Sequence, residues 1–212
     1  GTDNQQINGN ASEFGRLSYI GRANYSFAQK YLLQLTARYD ASPIFAPENR
    51  WGFFPSVSAG WRISEEAFMK SIEQIENLKL RLSYSNTGFD ATGNFQYLTG
   101  YEFGGGVLFG DAPVRGLMPS GLANPYISWE EMTTYNGGLN FGYFRGKIYG
   151  EFDIFYRERK GILATRSASL PNTFGASLPA ENLNELSNRG FELMLGTKGQ
   201  TGDFTYSVEG NM

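Results

Sequence analysis

Residues 22–68 read RANYSFAQKYLLQLTARYDASPIFAPENRWGFFPSVSAGWRISEEAF, and the two-residue alternation running into and through this stretch constrains the fold more than any other feature. Successive side chains of a strand point to opposite faces, so alternation sorts residues onto two surfaces. Leu17, Tyr19, Gly21, Ala23, Tyr25 and Phe27 fall on one parity, and Arg16, Ser18, Ile20, Arg22, Asn24 and Ser26 on the other, with Ile20 the only misfit. Tyr31, Leu33, Leu35, Ala37 and Tyr39 then oppose Leu32, Gln34, Thr36, Arg38 and Asp40. A third run, residues 51–64, sets Phe53, Val57, Ala59, Trp61 and Ile63 against Ser56, Ser58, Gly60 and Arg62, and its Pro55 requires a position with no ladder donor. The pattern predicts three antiparallel strands, the first two joined through Ala28, Gln29 and Lys30 and the next two through a longer loop containing Pro43 and Pro47.

Downstream, Ser64, Glu65 and Glu66 ahead of Phe68, Met69 and Ile72 predict an N-cap, an acidic first turn and a short amphipathic helix. A fourth strand carries Leu78, Leu80, Leu82 and Tyr84 opposite Lys79, Arg81, Ser83 and Ser85. Residues 86–128 read as a long irregular stretch, ordered because it holds Phe89, Phe95, Tyr97, Tyr101, Phe103, Phe109 and Tyr126. Strand five runs through Trp129, Tyr135, Leu139, Phe141 and Tyr143, turns at residues 144–147, and returns through Ile148, Phe152, Ile154 and Tyr156. A second long loop, residues 158–188, precedes strand seven (Phe191, Leu193, Leu195), a turn at residues 198–203, and strand eight (Phe204, Tyr206, Val208).

Composition removes whole classes of chemistry. Without cysteine or histidine the chain has no thiol nucleophile, no Ser-His or Cys-His couple and no ordinary zinc site. A net charge of -3 lacks the basic face a general nucleic-acid binder needs to displace counterions. No apolar run reaches the length of a transmembrane helix, but barrel strands alternate lipid-facing and lumen-facing residues, so this leaves a membrane barrel open. The polar opening GTDNQQINGN carries no signal-peptide pattern and reads as the inside of a longer polypeptide.

Connections alternate between short (after strands one, five and seven) and long (after four and six), the asymmetry of outer-membrane barrels whose turns face the periplasm and loops the exterior. On that assignment Tyr25, Phe27, Tyr31, Trp61, Tyr143 and Phe144 form a periplasmic aromatic girdle, and the loop at residues 43–49 faces outward. Reversing the faces would turn Arg16, Arg22, Arg38, Arg62 and Arg81 to lipid, costing up to about 10–20 kcal/mol at ~2–4 kcal/mol each. A soluble β-sandwich alternates too; the loop asymmetry and interfacial aromatics favour the barrel.

Parity then makes Arg22, Arg38, Asp40, Arg62, Arg81, Glu151 and Asp153 the lumen-facing candidates. Glu151 and Asp153 share a strand face like paired catalytic carboxylates, but in a water-filled lumen they read as solvated wall or as partners of arginines on a plug domain. Glu65-Glu66 and Glu130-Glu131 are adjacent and point apart or charge a helix turn, and Gly104-Gly105-Gly106 lacks the Lys and Ser/Thr of a phosphate loop. Tyr97, Tyr101, Phe103, Phe109 and Tyr126 are the candidates for ligand or partner contact in an extracellular loop. No catalytic residue, cofactor or metal is assigned.

Arg22, Asn24 and Tyr25, then Lys30-Tyr31-Leu32-Leu33, Arg38, Asp40, Ser42, Phe45, Arg50-Trp51-Gly52, Phe54-Pro55-Ser56, Gly60-Trp61, Glu66 and Phe68 stand in an order that resembles the SusC/RagA-like family of TonB-dependent outer-membrane transporters. The resemblance continues through Leu78-Lys79-Leu80-Arg81, Ser83-Tyr84, Thr87-Gly88, Trp129-Glu130, Asn136, Gly138, Asp153, Tyr156, Arg157, Asn188, Gly190 and Glu192. Pro43 departs where the family usually has Ser, and Ser85 and Asn184 where it usually has Gly, which touches local loop shape. The resemblance implies an all-β, antiparallel transmembrane β-barrel segment, about eight strands of a plugged barrel of roughly 22, with the plug and final strands outside this sequence. It further implies energised import of an oligosaccharide or peptide across the bacterial outer membrane, a SusD-like surface lipoprotein at the mouth, and a TonB complex acting through the plug. A passive porin-like or structural barrel is the alternative, and a soluble carbohydrate-binding β domain a third.

Overall fold

The structure, a computed structural model, describes residues 13, 15–90, 92–110, 112–119, 121–166 and 178–212. Among the described residues ten strands form: β1 (Leu17–Phe27), β2 (Tyr31–Ala41), β3 (Trp51–Arg62), β4 (Ile75–Phe89), β5 (Tyr101–Phe109), β6 (Ala112–Pro119), β7 (Glu130–Tyr143), β8 (Ile148–Thr165), β9 (Ala180–Thr201) and β10 (Phe204–Asn211). Eight make one antiparallel sheet in the order β1-β2-β3-β4-β7-β8-β9-β10, and β5 and β6 pair with each other as a hairpin inserted between β4 and β7. Each sheet strand thus lies beside its neighbours in the chain, an up-and-down meander that extends into a barrel by adding strands at its edges.

Register transmits the alternation from strand to strand, because directly opposed residues share a face. One row runs Leu35, Val57, Tyr84, Tyr135, Tyr156, and the next Leu33, Ala59, Leu82, Gly137, Ile154, Phe191. Leu35, Leu82, Tyr135, Ile154 and Phe191 are all exposed, so the apolar face is a surface rather than a core. The opposite face holds Arg22, Arg38, Asp40, Arg62, Arg81, Glu151 and Asp153 in one consistent register. A sheet that turns its apolar side outward and its charges to the other side is built for lipid on one side and water on the other.

The buried core is small and sits at the end of the sheet with the long connections. Phe45, Ile44 and Phe54 pack with Ile127, Trp129 and the partly buried Leu163. Trp129, which alternation put on the apolar face of strand five, lies just before β7 instead, edge-on to Phe54 at 5.2 Å, with its indole N–H donating to the Arg50 carbonyl at 3.1 Å. Gly52 and Gly88 make room for the Phe54 ring: a Cβ on either would come within 2.3 and 2.0 Å of it.

Several expected elements differ. The helix over residues 64–72 is absent; a 3-10 turn, Ile63–Glu65, ends at Glu66, whose backbone is extended at φ -72 and ψ 148. Turns follow, closed by Met69 N–H to Glu66 O and Ile72 N–H to Met69 O. Ser64 caps nothing, and the Glu66 carboxylate is held by strand residues, which fixes the backbone outside helical geometry. The irregular stretch of residues 86–128 contains the end of β4 and the β5–β6 hairpin. Glycine there serves packing as well as freedom: a Cβ on Gly104 would lie 2.2 Å from the Met118 sulfur. The loop of residues 158–188 shortens, since β8 continues to Thr165 and β9 begins at Ala180, while residues 167–177 lie outside the described residues. The turn of residues 198–203 shrinks to Gly202 and Asp203 because β9 runs to Thr201.

Candidate functional site: the polar wall and its two rims

Midway along the polar face, one row of the register reads Gly60, Arg81, Gly138, Asp153 and Glu192 across five strands. Arg81 on β4 cannot touch β8 through an ordinary residue on β7. Gly138 removes the obstacle, since a Cβ there would stand 2.5 Å from an Asp153 oxygen and 2.7 Å from the Arg81 guanidinium. Arg81 accordingly donates to Asp153 at 2.8 Å and to the Asn140 side-chain oxygen at 2.5 Å, with Glu151 3.9 Å away, while Asn140 donates on to Glu151. The two carboxylates that alternation brought onto one face are therefore engaged by an arginine and an amide of the wall itself. A guanidinium donates from several directions at once, which suits it to tie three strands together.

The remaining charges are distributed along the same face. Arg38 bonds Asp40 two residues on at 2.9 Å, Arg62 reaches Glu65 at 3.3 Å, and Arg22 stands opposite Thr36. Asn140 and Gly138 complete the central network and were not singled out as site residues by sequence; the signal available was an Arg, a Gly and an Asp falling on matching parities of successive strands.

The end with the short turns is tied by Glu66. Its carboxylate accepts from the Lys30 ammonium at 2.9 Å, the Tyr31 hydroxyl at 2.7 Å and the Trp61 indole N–H at 3.1 Å. The hydrogen bonds from Lys30, Tyr31 and Trp61, in that order of weight, hold the carboxyl down at about 2, and the same contact raises Lys30. Tyr31 and Trp61 face each other in the register, and Phe27 stacks on Tyr31 at 6.3 Å, so one polar anchor links these three aromatics.

At the other end the aromatics divide. Tyr97 is half-buried and edge-on to Phe95 at 6.3 Å. Tyr101, Phe103 and Phe109 lie exposed along β5. Tyr126 stands apart from them, in the segment leading to the buried Ile127 and Trp129, and is 81% exposed. Glu130, which follows Trp129, is buried, pairing with Arg159 and accepting from the Leu163 N–H at 3.0 Å. Among the described residues no group of acidic side chains is arranged to hold a metal ion.

Comparison with known proteins agrees with this geometry. Residues 1–211 match the family described as TonB dependent receptor-like, beta-barrel. The chain is 36% identical over 201 residues to TonB-dependent receptor SusC of Bacteroides thetaiotaomicron, covering 92% of this chain and 20% of that protein. It is 32% identical over 191 residues to TonB-dependent receptor P26 of Formosa agariphila, covering 88% of this chain and 18% of that protein. Among solved structures, the RagAB peptide transporter superposes with a TM-score of 0.79 at 27% identity, over 92% of this chain and 21% of the matched chain. The chain thus spans about a fifth of the length of the relatives it matches. An apolar outer face, a charged inner face, a meander topology and a match over nearly every residue together place this chain in the TonB-dependent receptor family, as a segment of its outer-membrane β-barrel.

Proposed function

We propose that this chain is part of the wall of an active importer that carries an oligosaccharide or a peptide across the outer membrane. The observation that carries the reading is the sheet's two faces: exposed apolar rows on one side, and on the other the Arg81, Asn140, Glu151 and Asp153 network, which does not suit a lipid-facing surface. Relatives bearing the names TonB-dependent receptor SusC and RagAB peptide transporter support the transport class. On this reading the short turns face the periplasm and the long connections face outward, a SusD-like lipoprotein covers the mouth, and the TonB complex supplies energy through a plug. The wall supplies a polar lining and does no covalent chemistry.

Uptake tests the proposal. Cells carrying the full-length gene should accumulate labelled oligosaccharide or peptide, and a protonophore or TonB depletion should reduce accumulation to the level of a gene deletion. Accumulation that persists without the proton-motive force would establish the passive, porin-like alternative instead.

A further inference from the structure

We propose that the concavity beside Tyr126 is a subsite for the ring of an uncharged saccharide, an inference that rests on the import reading and names the substrate class it takes at this position. Among the described residues Tyr126 is the most exposed of the large apolar and aromatic side chains, at 81%, yet its backbone is pinned on both sides. Asn124 donates to the Ala180 carbonyl at 2.7 Å and accepts from the Tyr126 N–H at 3.0 Å, while Asn49 donates to the Pro125 carbonyl at 3.1 Å. Asn182 accepts from the Ser128 N–H at 3.0 Å and donates to the Ser128 and Gly161 carbonyls at 3.0 and 2.7 Å. Ile127, the next residue, is buried in the core. Three asparagines from separate elements thus present one aromatic ring to solvent on a fixed base, so a ligand meeting it pays little for ordering.

The concavity at this ring measures about 420 Å³ and is lined by Tyr126, Pro125, Ser128, Glu181, Asn182 and Leu183 among others. That volume falls within the range of small-molecule sites, roughly 300–1,000 Å³. Among the described residues that line it the one charged side chain is Glu181, bonded to Arg166 at 2.9 Å, and none is a cation that would receive a carboxylate, sulfate or phosphate. An aromatic face beside hydroxyl and amide groups matches a pyranose, whose C–H face packs on a ring while its hydroxyls hydrogen-bond at the edge. An acidic sugar would meet the Glu181 carboxylate and no cation among the described lining residues.

The test uses the full-length receptor in detergent against an array of neutral malto-, xylo- and manno-oligosaccharides, uronic-acid oligosaccharides and short peptides. Wild type should bind a neutral series; Tyr126→Ala should lose about tenfold or more in affinity, and Tyr126→Phe and Tyr126→Trp should keep it within about threefold, heat-modifiable gel mobility showing each variant folded. Binding confined to acidic sugars or peptides, no binding at all, or unchanged binding by Tyr126→Ala would overturn the proposal. So would a Tyr126→Ala variant that binds saccharide normally but sheds a co-purifying lipoprotein, which would make the ring a protein contact. Because binding is read without energy coupling, loss of protonophore-sensitive uptake would count against import alone.

Discussion

Single residues decide whether the wall's polar face closes up. Gly138 is the spacer through which Arg81 reaches Asp153, so Gly138→Val should push the guanidinium aside and lower barrel stability by about 1–3 kcal/mol, the cost of overpacking a fitted contact. Thermal loss of heat-modifiable mobility measures this, and Gly138→Val and Arg81→Ala should be less than additive when combined, since both disrupt the same Arg81–Asp153 contact. Glu66 makes a pH prediction. Its folded-state value of about 2 lies below the ordinary 4.5, so the charged form is favoured on folding and its contribution is complete above the ordinary value. Wild type should therefore hold a constant advantage over Glu66→Gln at neutral pH, and the advantage should shrink as pH falls from about 4.5 and vanish below about 2; a gap independent of pH would show that the carboxylate's charge contributes nothing. That Glu66 would anchor Lys30, Tyr31 and Trp61 was not legible in sequence, where Ser64, Glu65 and Glu66 matched the start of a helix. Lys30 and Tyr31 lie 36 and 35 residues away, and local pattern carries no information about such distances.

At the scale of elements, alternation worked wherever one face met a uniform environment. The apolar parity assigned to β1, β2, β3, β4, β7, β8, β9 and β10 survives in the register, and the short turn after β7 falls at residues 144–147. It failed where the chain leaves the sheet's regular span: at the β5–β6 hairpin, whose three consecutive glycines mask strand pattern, and in the extensions of β8 and β9 through polar residues such as Glu158, Lys160, Asn184 and Glu185. The long-connection rim is the other place where local signals gave way. Trp129 carries strand parity but is drawn into the core by Phe45, Phe54 and the Arg50 carbonyl. Trp129→Phe should cost about 1 kcal/mol through the lost hydrogen bond, and Trp129→Ala about 3–5 kcal/mol through the cavity. Both should make the loop of residues 42–50 more sensitive to limited proteolysis while leaving the β7–β8 pairing intact, which hydrogen exchange of those strands would show.

At the scale of the whole molecule, the outward parity of β7 marks where the apolar band ends on that strand. From Tyr135 to Tyr143 that face of β7 carries Gly137, Leu139 and Phe141, and toward the long-connection end it turns polar at Thr133 and Glu131. Eight residue steps at ~3.4 Å and a tilt of ~40° span roughly 20 Å, close to the ~25 Å apolar band of outer-membrane barrels. Tyr84, Tyr135 and Tyr156 stand side by side in one row at that boundary, Tyr84 and Tyr135 5.3 Å apart and Tyr135 and Tyr156 6.5 Å. Tyrosine suits such a border because its ring is apolar and its hydroxyl wet. The family was legible from residue order alone; the partition of the aromatics into boundary row, buried core and pinned surface ring required the register.

The segment contains no cysteine, which opens the most direct test of the two-faced wall. Single cysteines placed along β8 at positions 151 to 154 of the full-length protein, in a background freed of any other cysteine and embedded in bilayers, would be spin-labelled and exposed in turn to a water-soluble and a lipid-soluble relaxing agent. Accessibility should alternate with a period of two, positions 151 and 153 responding to the aqueous agent and positions 152 and 154 to the lipid-soluble one. Equal response at all four positions, or the opposite phase, would contradict a lipid-facing apolar surface and a water-facing charged one.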